Sequence, residues 1–104
     1  MNLIEKAKTL GTPVSFAHYR NSIICGLEPD GMRCVGGLCL AAREPLSSPF
    51  PGGHELAGAI ERWAGKNHFA ARREALNIIH FNENGNFDMA WKAAEEAFQG
   101  VEDR

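Results

Sequence analysis

No stretch of this sequence stays apolar for the roughly 20 residues that a membrane-spanning helix needs, so no membrane association of that kind is expected. An excess of one charge sign is missing too. Lysine and arginine number 11 against 13 aspartate and glutamate, a net charge of −2, which gives no global pull toward nucleic acid or an anionic bilayer. Cysteine is sparse, and Cys25, Cys34 and Cys39 form no C-x-x-C pair, the usual mark of a structural zinc site. Three thiols cannot all pair within one chain. The N-terminal stretch carries Glu5, Lys6 and Lys8 where a secretory apolar core would stand, so a reducing, cytoplasmic location is expected.

The signatures of catalysis are absent as well. His18, His54, His68 and His80 are scattered, with no H-E-x-x-H and no i, i+4 pair for a metal. Ser47-Ser48 lacks the G-x-S-x-G elbow that exposes a nucleophile. Asn82, Asn84, Asn86 and Asp88 imitate the alternate oxygens of a calcium loop. The glycine falls too early, at Gly85, and Ala93 stands where the bidentate glutamate belongs. Val35-Gly36-Gly37-Leu38 reads as a bulge or a close backbone approach in the last strand, because no helix is expected to follow it and present N–H groups to a phosphate. No cofactor is expected.

What is present is an apolar fraction of 44%, ordinary for one globular domain spanning residues 1–104. Asn2, with Glu5 three residues on, caps a short helix that Gly11 ends. Val14, Phe16 and His18 then alternate with Ser15, Ala17 and Tyr19, the period of a half-buried strand. Ser22–Leu27 and Met32–Leu40 read as two further strands around Glu28-Pro29-Asp30-Gly31, a type I turn with a glycine bulge. In that register Cys25 and Cys34 leave opposite faces of the sheet. A two-residue loop would instead set them opposite one another.

Residues 41–53, with Pro45, Pro49 and Pro51, form a connector. Beyond it the apolar period becomes helical. Leu56, Ile60 and Trp63 precede a stop at Gly65, and Asn67 caps a helix bearing Phe69, Leu76 and Ile79. Asn86 caps a last helix with Phe87, Trp91, Ala94 and Phe98, ended by Gly100. A hairpin over 77–90 around Asn84-Gly85 is the rival, and the flanking alanines favour helix.

The expected fold is therefore α+β. A short N-terminal helix precedes a three-stranded antiparallel meander over 13–19, 22–27 and 32–40. Three helices then cover one face of the sheet, with Trp63, Phe69, Leu76, Trp91 and Phe98 in the interface. The sheet half is residues 1–40 and the helical half 54–100. With no catalytic signature, a non-enzymatic interaction or regulatory module is the leading expectation. Its partner, another protein or a second copy, would add to the uncharged edge strand Pro13–Tyr19. Two alternatives stand beside it. One is thiol or metal chemistry at Cys25, Cys34 and Cys39. The other is nucleic-acid binding through the basic cluster Arg62, Lys66, His68, Arg72 and Arg73, which Glu61 and Glu74 interrupt.

Overall fold

Asparagine opens three of the helices, each time by the same chemistry. The side-chain oxygens of Asn2, Asn67 and Asn86 accept the backbone N–H three residues on, from Glu5, Ala70 and Met89 at 2.8, 2.9 and 3.3 Å. The computed structural model describes residues 1–19, 33–45 and 50–103. Its helices are α1 (Leu3–Thr9), α2 (Val35–Ala41), α3 (Gly53–Ala64), α4 (His68–Glu83) and α5 (Phe87–Ala97), with a further helical stretch at 16–19. Gly65 closes α3 at φ 68°, a left-handed conformation that admits glycine readily.

Among the described residues there is no β-strand, so the fold is helical and the expected α+β meander is absent. Among the described residues strand pairing is confined to two isolated bridges, Pro13 with Arg33 and Asn2 with Glu102. At 13–19 the alternation was too short to decide. Ser15 starts a helical turn there, its Oγ accepting the His18 N–H at 3.2 Å and its carbonyl the Tyr19 N–H at 2.9 Å. The edge strand expected over Pro13–Tyr19 therefore does not exist. Ser22–Leu27, the turn at 28–31 and the register of Cys25 against Cys34 lie outside the described residues.

The larger correction is the third strand. Val35–Ala41 is a helix, and Val35 to Leu40 are buried at every position. A continuous apolar run carries no period, so it suits an element buried on all sides whether strand or helix. Gly36 and Gly37 belong to that helix and make no bulge. At Gly36 the reason is proximity: a Cβ there would stand 2.9 Å from Leu56 Cδ2 in α3. Cys34 caps the helix, its Sγ accepting the Gly37 N–H at 3.2 Å.

Helix α2 touches α1, α3, α4 and α5. The pairs α3–α4 and α4–α5 form the most extensive contacts, and α1 leans on α2 and α5. The buried apolar residues make one cluster, from Leu3 and Ala7 through Val35, Leu38 and Leu56 to Ile60, Ile78 and Phe98. On α4 the buried positions are Ala71, Ala75, Ile78 and Asn82, while Phe69 and Leu76 are 82% and 52% exposed. Those two were expected inside. A helix wedged between α3 and α5 turns its small residues inward, because alanine lets the backbones approach closely. Phe98 is buried as expected. Trp63 and Trp91 pack half-buried against the core, beneath Arg43 at 5.0 Å and Lys8 at 5.5 Å from their ring centroids.

Two substitutions test this arrangement. Gly36→Val should cost about 1–3 kcal/mol in urea unfolding through overpacking. The penalty should shrink in a Leu56→Ala background, and strictly additive effects would show that α2 and α3 do not meet there. Asn82→Ala should cost about 1–3 kcal/mol by leaving buried backbone groups unpaired. An unchanged urea midpoint would show that those groups have other partners.

Candidate functional site

Asn82 is 1% exposed, the one buried polar residue among those described. Its Oδ1 accepts the Val35 N–H at 2.9 Å, satisfying an otherwise orphaned donor in the first turn of α2. Its Nδ2 donates to the Val14 carbonyl at 3.1 Å, and the Val14 N–H donates to the Arg33 carbonyl at 3.0 Å. The end of α4, the start of α2 and the segment at Val14 are thereby fixed to one another.

Beside this bracket lies a cavity of about 360 Å³ lined by Phe16, Cys34, Gly36, Phe50, Pro51, Ile79, Asn82 and Glu83. Its walls are mainly apolar. The Phe16 and Phe50 rings meet edge to face at 5.4 Å, and Tyr19 leans on Phe50 at 4.8 Å. Glu83 Oε1 accepts the Phe16 N–H at 2.9 Å. Nothing in the sequence pattern marked this site. Asn82 and Glu83 read as a loop where the helix fades, and Phe50 as a connector residue that pins it to the core.

Two of the three thiols can be placed. Cys34 and Cys39 are buried and free, and Cys25 lies outside the described residues. Burial pushes the pKa of both thiols up, that of Cys39 the more strongly. For Cys34 the hydrogen bond from Gly37 N–H opposes the shift and the Glu83 charge adds to it; for Cys39 the neighbouring Cys34 adds to it. A raised pKa leaves little thiolate at neutral pH, which is the form that reacts and binds metal. Among the described residues no group of three or more His, Cys, Asp or Glu side chains stands close enough to share a metal ion.

The basic cluster divides in two. Lys66 Nζ is bound by Glu74 Oε2 at 2.7 Å and by the Glu96 carbonyl at 2.8 Å. His68 Nδ1 lies 3.3 Å from Glu61 Oε2, and Arg62 reaches Glu44 at 4.0 Å. Arg72 and Arg73 are exposed and have no carboxylate within ion-pair distance among the described residues. Phe69, Arg73, Leu76 and His80 follow one another at i, i+4, i+7 and i+11, with Arg72 alongside, so they share the outer stripe of α4. A shallow recess of about 100 Å³ under Arg72 is lined by His54, His68 and Leu76.

A broader recess of about 570 Å³ runs between α1 and the end of α5. Lys8 and Glu95 pair there at 3.4 Å, and the carboxylates of Glu5 and Glu96 also line it. Among the described residues no helix is long and apolar enough to cross a membrane.

The thiols supply a direct check. In native protein at pH 7, Cys34 and Cys39 should alkylate with iodoacetamide far more slowly than in urea, as peptide mapping would show. Modification as fast as that of a free thiol would mean that the ends of α2 open readily.

No family model, no curated protein and no solved structure matches this chain.

Proposed function

We propose that this chain is a non-enzymatic binding module that works through the outer face of α4, and that its partner is a protein segment carrying carboxylates beside apolar side chains. The observation behind this is the outer stripe itself. Phe69 and Leu76 are 82% and 52% exposed and flank two arginines that have no carboxylate partner among the described residues, on a helix held from behind by α3 and α5. A single exposed apolar residue is ordinary. A phenylalanine and a leucine two turns apart with arginines between them offer apolar anchors and a charge to complement. The helix is already ordered, so docking would carry little conformational cost.

Nucleic-acid binding is the weaker alternative, because three of the five cluster residues already face carboxylates. Thiol chemistry is weaker still, given the burial of Cys34 and Cys39. We place the protein in the cytoplasm, where free thiols are the norm.

Panning a phage-displayed peptide library against the purified chain tests the proposal. Peptides that mix acidic and apolar residues should enrich. Phe69→Ser and Arg73→Glu should each weaken the selected peptides about tenfold, as expected when an anchor residue is lost. Surface substitutions of this kind should leave the urea midpoint nearly unchanged. Peptides that bind both variants undiminished would overturn the proposal. So would salt-sensitive binding of mixed-sequence RNA through Arg72 and Arg73 with no peptide enriched.

A further inference from the structure

We propose that the cavity between the start of α2 and the end of α4 binds a small organic amine. Its aromatic or aliphatic body would lie against Phe16, Phe50 and Ile79, and its ammonium group against Glu83.

Size and lining set the class of ligand. Small-molecule sites are concave, mostly apolar and carry a few placed polar groups, with volumes of roughly 300–1,000 Å³. At about 360 Å³ this cavity stands at the lower end, enough for one ring system with a short chain. Two aromatic rings, a proline and an isoleucine form most of its wall, so the body of the ligand is apolar.

The polar groups set the charge. Among the described residues no lysine or arginine lines the cavity, and the one charged side chain there is the Glu83 carboxylate, which disfavours an anion. Asn82 is committed through both ends of its amide to Val35 and Val14, so it holds the wall in place. Glu83 differs. Its Oε1 accepts the Phe16 N–H at 2.9 Å, which aims the carboxylate and fixes it to one wall, while Oε2 has no donor among the described residues. A fixed carboxylate with a spare oxygen beside two aromatic rings is a site for a cation. The rings attract it through their faces and the carboxylate through its charge.

The walls are also held in advance. Gly36 is pressed against Leu56, and Pro51 is buried. A cavity that does not need to collapse and reopen keeps more of its contact energy for the ligand. The site lies at the opposite end of α4 from Phe69 and does not depend on the docking surface proposed above.

Tryptamine and its uncharged counterpart tryptophol are suitable probes, titrated into the 15N-labelled chain and followed by amide chemical shifts. Tryptamine should give saturable shifts at Gly36, Ile79 and Glu83, and tryptophol should bind more weakly. Glu83→Gln keeps an acceptor for the Phe16 N–H and removes only the charge. It should weaken tryptamine about fivefold, the worth of a partly exposed ion pair, and leave tryptophol unchanged. Ile79→Phe, which fills the cavity, should weaken both probes. If Ile79→Phe unfolds the chain, Glu83→Gln alone decides. Absence of saturable shifts with tryptamine would overturn the proposal. So would tryptamine affinity indifferent to Glu83→Gln.

Discussion

The hydrogen bond from the Val35 N–H to Asn82 Oδ1 joins parts of the chain that are far apart in sequence, and much else depends on it. Helix α2 is seven residues long and contains two glycines. Alone in water such a segment would not be helical, since nucleation is unfavourable and glycine adds about 1 kcal/mol per residue. It forms because Cys34 and Asn82 satisfy its first turn and four helices cover its sides. Asn82 in turn can be buried because both ends of its amide find backbone partners; unpaired, it would be a liability in the core.

The same dependence explains how much of the fold the sequence disclosed. Helices α1, α3, α4 and α5 announce themselves by local chemistry: asparagine caps at Asn2, Asn67 and Asn86, and glycine stops at Gly65 and Gly100. Those signals need only a few neighbouring residues. Helix α2 has no such label. Its cap is a cysteine, its glycines resemble a strand bulge, and its apolar run has no period. What makes it a helix is the set of partners around it, and partners distant in sequence cannot be read from a local pattern. At 13–19 a single serine cap outweighed a short alternation.

The candidate surfaces were legible in part. Arg72 and Arg73 were picked out by charge. Their isolation from carboxylates depends on which of Glu44, Glu61 and Glu74 pair with Arg62, His68 and Lys66, and that is a matter of tertiary geometry. Phe69 and Leu76 were assigned to the core together with Ile79, as the apolar period of the helix. The core instead took Ala71 and Ala75. Where a helix is squeezed between two others, side-chain size is a poor guide to which face turns inward, and exposed large residues then become informative about binding. The cavity beside Asn82 had no sequence signal, since its walls come from four separate segments.

Gly36 and Cys34 are both cavity wall and the opening residues of α2. The helix they open has no independent stability, so the wall cannot loosen by itself without α2 losing its cap, its bracket and its contacts with the rest of the core. Such a pocket has little room to adapt its shape to different occupants. Any ligand tight enough to favour the closed wall would also be felt in the cooperativity of the whole chain, raising the resistance of α1 and α5 to unfolding although neither touches the site.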